Sequence, residues 1–492
     1  MVQYQHMQDT TYSTQDAADF EQEVSQICDL AFAHGIDSVG YVTPADDKEK
    51  YARFIAACHE GYALAQDRLF SELLRIEDAL TAAKKRLKER RRDKDLSRTK
   101  LTQSHIVQLE TRRHILKKIA DGLAWIILHG EGWQVRRFYL GQASNYLRPT
   151  NPESVKAEVD ERNKKSSRFA LMTDLTSCIQ VGDILEVDFG DKQTRIIEVK
   201  EGATNEQVLG ALDSFAQTQC ERIPYLLAKH YGQSALKQMI RVVKQEQRAS
   251  EIVKILRTGE GIDPRYGKPI SILDKYYTRE DYFPEIADMA RQCDEKGFSI
   301  KGIDGCLLLG MFRRQSTKLL RLAFAHSIYH LRHPEASCLL ETAPERGSEE
   351  IDLIEAEAYP IHDLAQGLTI PIAMPIFLWP VDKQLIMDIV FRRKIVLLYL
   401  DFDNLFELAS NFGIDCRWDY KQPPSTPGRQ SKDFFSSLGR RPVLTKSGAP
   451  MLMGDRWLVD ILFEAERPAS IFPRIAESLD SPAHQAPQNQ RD

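Results

Sequence analysis

Leu69, Leu73, Ile76, Leu80 and Leu87 recur at spacings of 4-3-4-7, and Leu109, Leu116, Ile119, Leu123 and Ile126 at 7-3-4-3. Each series is the seam of a helix that buries one apolar stripe against a partner. The intervening RRRDKDLSRTKLTQ has no such stripe. Residues 48 to 129 must therefore turn back on themselves, and an antiparallel helical hairpin with its tip near residues 90–100 is predicted.

That tip concentrates charge. Residues 84–100 hold ten Lys or Arg against three acids, a local +7 in a chain of net charge −5, which leaves −12 elsewhere. Global charge does not favour nucleic acid, whereas Lys84, Lys85, Arg86, Arg90, Arg91 and Arg92 form a patch that could grip phosphates without reading sequence. The alternative is a solvated helical surface whose cations pair with Glu89, Asp93 and Asp95. No aromatic residue interleaves the cations, so stacking of single-stranded bases is not supported there. A helical hairpin can also bind a protein partner or a second copy of the chain.

The second organising stretch is QVGDILEVDFGDKQTRIIEVKEG, residues 180–202. Its two apolar, β-branched runs, 184–189 and 194–199, flank Gly190-Asp191-Lys192-Gln193 and predict a β-hairpin. With Asp191 and Lys192 at the centre of the turn, Asp183 lies opposite Lys200, and the period of two puts Glu198 on the same face. Leu185, Val187, Phe189 and Ile196 then share that face, as expected for a sheet covered by helices. Charge is thereby gathered at the open end of an apolar hairpin.

Gly-Asp at the start of one strand and Glu-x-Lys near the end of the next resembles the PD-(D/E)xK nuclease superfamily. The resemblance implies a restriction-endonuclease-like core, Asp183 and Glu198 as ligands of Mg²⁺ or Mn²⁺, and Lys200 as the residue that orients the attacking water. Gly182 stands where the family's name has proline. An acidic residue from the family's first helix would be Asp121 or Glu110, with Asp121 preferred because it lies nearer the first strand, and a Gln after the hairpin would be Gln207 or Gln217. The chemistry suits these residue types: Mg²⁺ is a hard ion that takes oxygen ligands, lowers the pKa of bound water and neutralises charge on a phosphodiester. The implied substrate is DNA, double-stranded, and the implied setting is bacterial restriction or anti-phage defence. The rival reading is a catalytically silent nuclease fold that binds nucleic acid or scaffolds an assembly.

Around this centre the chain predicts an α/β protein, α+β overall. Residues 1–16 are expected to be disordered, 17–105 to be the helical hairpin region, 106–257 the nuclease-like core, 258–333 a connector, 334–476 a mixed α/β module and 477–492 a disordered tail. Within these, a helix is expected from Asp16 to Ala33, ended by His34-Gly35, with a strand over 38–43. Gln134–Leu140 reads as the core's first strand, 141–154 as a loop, 258–305 as a loop-rich insertion and 457–464 as a strand. The helical stretch 234–257 is basic at Arg248 and Lys254, among others, which either line a nucleic-acid groove or form the helix's wet face.

Two further constellations carry chemistry. Lys394–Leu400 reads as a buried strand running into Asp401-Phe402-Asp403, which resembles phosphohydrolases of the haloacid-dehalogenase type or, alternatively, caps the next helix. His326, His330 and His333 share one helical face and could ligate a metal or form a hydrogen-bonded surface cluster. Eight scattered cysteines without a C-x-x-C pair indicate neither structural zinc nor disulfides. There is no Walker A loop, dinucleotide fingerprint or G-x-S-x-G elbow. With no apolar span and a polar N-terminus, a cytoplasmic location and no membrane partner are expected.

Overall fold

A computed structural model describes residues 14–480 except 44, 46, 142–146, 148–151, 191–192, 200–206, 209, 213, 215–217, 219, 221, 266, 273–278, 315–316, 333–360, 420–440 and 447–448. The chain divides into two compact units, residues 1–274 and 275–492. The boundary falls inside the stretch 258–333 expected to be a connector. Both units mix helices with antiparallel sheets, an α+β organisation. Among the described residues no helix is long and apolar enough to cross a membrane.

The first unit opens with α1 (Thr14–Cys28), which passes through a π-helical turn, Asp29–Ala33, into α2 (His34–Val39). Gly35 does not end the helix as expected, and no strand forms over 38–43. Gly35 is instead a packing residue: a Cβ there would lie 2.2 Å from Cys58 Sγ, and one on Gly61 would lie 2.4 Å from Leu30 O. Gly61→Ala must push against backbone, and a loss of about 1–3 kcal/mol is expected in urea unfolding. An unchanged midpoint would show that the helices separate freely.

The helical hairpin follows as predicted, with α3 (Lys48–Arg92) and α4 (Leu96–Ile127) joined by a turn at residues 93–95. Asp47 caps α3 through Glu49 N and Lys50 N, and Asp95 caps α4 through Arg98 N. Seam residues Leu69, Leu73, Leu116, Ile119 and Leu123 are fully buried.

Gln134–Leu140 is not a strand. Val135 and Phe138, three residues apart, are buried on one side of α5 (Gly132–Phe138). A short apolar run does not by itself distinguish the two periods. The stretch expected as a loop gives way at its end to α6 (Pro152–Arg162), with proline in the first turn and Val155 and Val159 inward. The strand before the hairpin is β1 (Arg168–Met172). It pairs antiparallel with β2 (Ile184–Asp188), which pairs antiparallel with β3 (Thr194–Ile197). The expected order of helix, strand, loop, hairpin and helix is therefore altered, with α5 and α6 standing between α4 and the strand.

Both edges of this three-stranded sheet are handled differently. Along β1, Gln66 Oε1 accepts from Met172 N and Gln66 Nε2 donates to Ala170 O, while Asn163 Oδ1 accepts from Ala170 N and its Nδ2 donates to Ala170 O. Two side-chain amides thus occupy groups that would otherwise recruit another strand. β3 runs beside α7 (Ile223–Thr258), a helix kinked at Gly232 (φ 84°) and closed by Gly259 in the left-handed region. A hairpin of β4 (Glu260–Ile262) and β5 (Pro269–Ser271) packs on its end.

The second unit begins with α8 (Phe283–Lys296), which with β6 (Phe298–Ile303) occupies part of the expected loop-rich insertion. Its main sheet, in the order β6, β7 (Leu307–Arg313), β9 (Lys394–Leu400), β8 (His362–Asp363), is antiparallel throughout. Helices α9 (Thr317–Arg332) and α10 (Lys383–Val390) lie between strands of this sheet, and α11 (Phe402–Ser410) leads from β9 to a second sheet of β10 (Asp415–Asp419), β11 (Arg441–Lys446) and β12 (Ala449–Leu452). The segment expected as a strand is helical through Phe463, in α12 (Asp455–Phe463), with Leu458, Ile461 and Leu462 buried at helical spacing. The final helix, α13 (Pro468–Asp480), continues into the expected tail. The N-terminal segment 1–13, the linker 422–432 and residues 481–492 lie outside the described residues.

Candidate active site

The hairpin folds on the predicted strands but in another register. Ile184 pairs with Ile197 and Val187 with Thr194, and Asp188 N donates to Gln193 O. Asp188 Oδ1 also accepts from Gly190 N at 2.9 Å, which starts the turn early. The turn is therefore centred one residue before the predicted position, and pairing shifts by two. The register no longer sets Asp183 opposite Lys200: the last ladder pair is Ile184 with Ile197, and Asp183 and Glu198 follow it on their two strands. A two-residue shift preserves the faces, so within the ladder Leu185 and Val187 still share one with Ile196 and Thr194.

Asp183 is positioned from both sides. Gly182 before it has φ +75°, and a Cβ there would meet Ile196 Cγ2 at 2.4 Å. Proline, fixed near −65°, cannot adopt this conformation, which accounts physically for glycine at this position. Asp183 N donates to Ile197 O at 2.8 Å, and Thr173 N donates to Asp183 O. The half-buried carboxylate then turns across the hairpin, where Oδ2 accepts from Val199 N at 2.7 Å. Glu198, also half-buried, accepts through Oε2 from Gln245 Nε2 of α7 at 3.2 Å. The two acids are thus the next residues beyond the last ladder pair, each steadied by a neutral donor. Two carboxylates are the hard oxygen donors that Mg²⁺ takes. Among the described residues no group of three or more His, Cys, Asp or Glu converges to hold a metal.

Lys200 lies outside the described residues, as does Gln217. Asp121 is described and does a different job. It is wholly buried, accepts from Ser177 N (2.7 Å), Ser177 Oγ (2.6 Å) and Cys178 N (3.1 Å), and stands 3.6 Å from Lys118 Nζ. Its carboxylate is committed to fixing the turn between β1 and β2, so it is a positioning residue for that turn. Glu110 pairs with Lys84 at 3.4 Å.

Neighbouring Lys117 is also buried, donating from Nζ to Asp174 O (2.9 Å) and Thr176 O (3.2 Å). Removal from water pushes its ammonium down to about 8, against the pull of Asp174. Between about pH 8 and the ordinary lysine value of 10.5 the unfolded chain binds more protons, so this side chain's contribution to stability rises with pH there. Relative to Lys117→Met, the wild type should gain about 2 kcal/mol between about pH 8 and about pH 10 in urea unfolding. A flat difference would show that Lys117 titrates like an exposed lysine.

The predicted cations are dispersed. Lys85, Arg86, Arg91 and Arg92 are exposed near the end of α3, and Arg90 is half-buried. Arg92 pairs with Asp93 at 3.6 Å. From Gln66, which bonds β1, to Arg90 is about 36 Å of helix, so the tip is not part of the carboxylate site. Lys254 lines a groove beside β3 and lies 3.6 Å from Glu251, while Arg248 is half-buried on the same helix. Sequence reasoning missed Gln245 and Arg195. Gln245 and Arg257 belong to the basic stretch already noted, but only the fold shows which of its faces meets β3. Arg195 also bonds Glu186, a buried acid on the opposite face of β2 that Arg162 and Arg168 approach as well.

Asp401 Oδ1 caps α11 by accepting from Asp403 N (3.0 Å) and Asn404 N (3.2 Å), and its strand is antiparallel to both neighbours. His326 is exposed, and the side chain of His330 and all of His333 lie outside the described residues. No family model matches the chain, and no curated protein or solved structure matches it either.

Proposed function

We propose that the first unit contains a restriction-endonuclease-like core that hydrolyses phosphodiester bonds in DNA with Mg²⁺ or Mn²⁺. The observation that carries this reading is that Asp183 and Glu198 are the residues next beyond the last pair of the β2–β3 ladder, with the Asp183 carboxylate reaching across the hairpin to accept from Val199 N. Asp183 and Glu198 would hold the ion, which supplies a more acidic water and neutralises charge on the phosphate. Val199 N and Gln245 orient the two carboxylates, as neighbours of metal ligands commonly do. Lys200 takes the water-orienting role by the resemblance of Glu198-x-Lys200 to the family motif. A second unit of more than two hundred residues attached to such a core suits an effector of restriction or anti-phage defence.

A catalytically silent, DNA-binding scaffold is favoured by one observation: Asp121, the candidate third carboxylate, is committed to Ser177 and Cys178. Mg²⁺-dependent nicking of plasmid by the full chain, lost in Glu198→Ala and Lys200→Ala, separates the two readings. DNA binding without any cleavage would establish the scaffold. Cleavage that survives both changes and disappears in Asp401→Asn would move the chemistry to the second unit.

A further inference from the structure

We propose that the groove between β3 and the C-terminal half of α7 seats the phosphate backbone of one strand of duplex DNA as it leaves the carboxylate pair. The orientation rests on the nuclease reading of Asp183 and Glu198; the binding itself does not.

The groove has a volume of about 530 Å³ and is lined by Thr194, Arg195, Ile197, Val253, Lys254 and Arg257, among others. On α7, Ala249, Val253 and Arg257 line the groove at four-residue intervals. Gln245 touches Glu198, and Arg257 lies twelve residues further on, about 18 Å along the helix.

Charge and shape agree with this occupant. Lys254 and Arg257 are exposed, and Arg257 has no acidic partner among the described residues. Lys254 stands 3.6 Å from Glu251, and Arg195 is 3.2 Å from Glu186 while remaining half exposed at 49%. The Lys254–Glu251 pair, on the exposed side of the helix, is weak and exchanges readily for phosphate, whereas Arg195 stays held by the buried Glu186. Thr194 and Ser250 add hydroxyl donors to the walls. Among the described residues no aromatic side chain lines the groove, which gives stacked bases no platform there. A backbone whose bases remain paired elsewhere therefore fits better than a bare single strand. Beyond Lys254 the surface continues into a second depression of about 590 Å³ that reaches Thr258 and Ser271.

The test is fluorescence anisotropy of the full chain with a labelled duplex of about 30 base pairs in EDTA, across a series of KCl concentrations. Lys254→Gln and Arg257→Gln should each weaken binding about fivefold and reduce the slope of log affinity against log salt by about 0.9, with the double variant reducing it by about 1.8. Arg291→Gln, in the second unit, should change neither. Unchanged slopes in a wild type that binds duplex would overturn the groove while leaving the Asp183–Glu198 reading intact. No duplex binding by the wild type, or tighter binding of a single strand of equal length, would also overturn it. Slopes that fall as stated in a chain that never cleaves with Mg²⁺ would uphold the groove and remove the nuclease reading.

Discussion

Glu198→Gln is expected to lower Mg²⁺-dependent cleavage of plasmid DNA by at least about a hundredfold. The substitution keeps the length of the side chain and an oxygen able to accept from Gln245 Nε2, which contacts Glu198 Oε2 at 3.2 Å. What it removes is the negative charge of one of two proposed ligands. Because Glu198 is half-buried at the end of a short edge strand, stability should change by no more than about 0.5 kcal/mol. Cleavage rates at saturating Mg²⁺, read beside urea midpoints, separate lost chemistry from lost fold. Wild-type cleavage by a folded Glu198→Gln variant would remove Glu198 from the site.

Asp121→Ala is expected to act in the opposite way, through folding. It would delete the acceptor of Ser177 N, Ser177 Oγ and Cys178 N and the partner of Lys118, all at a position with no exposure to water. Breaking a buried charge pair from one side costs about 3–5 kcal/mol, and the loss of three hydrogen bonds acts in the same direction. Urea unfolding should show that loss in the first unit, and Asp121→Asn, which keeps one acceptor, should recover part of it. A stable Asp121→Ala chain that binds DNA and no longer cleaves would return Asp121 to the metal site.

Asp121 also marks where sequence reasoning stops. Its helix, its place nearer the expected first strand and its acidity were all legible, and together they suggested a ligand. Nothing in the local sequence announces that Ser177 and Cys178, more than fifty residues later, would present their donors to it. Lys117 and Lys118 were hidden for a similar reason. Lysines beside a heptad seam normally reach solvent, and here a second layer, the turn after β1, closes over them.

Elements with long periodic patterns were the readable ones. The seams of α3 and α4 and the β2–β3 strands form as their spacing dictates. Short apolar runs were misread in both places where two periods fit, at Val135–Phe138 and Leu458–Leu462, because helices of seven and nine residues offer too few repeats to decide. The hairpin register shifted because the Asx interaction of Asp188 with Gly190 N is a matter of turn chemistry, whereas alternation fixes only the face. That distinction also explains why the faces of the ladder are kept: a slip of two changes which residues oppose and leaves each on its side.

Manganese binding followed by electron paramagnetic resonance tests the pairing of Asp183 and Glu198 most directly, since Mn²⁺ accepts the same oxygen ligands and needs no DNA to report. Titration of the full chain should reveal one bound ion that is displaced by excess Mg²⁺ and disappears in the double variant Asp183→Asn, Glu198→Gln. An equally tight ion in that folded double variant, or none in the wild type, would contradict the assignment of these two carboxylates as a metal site.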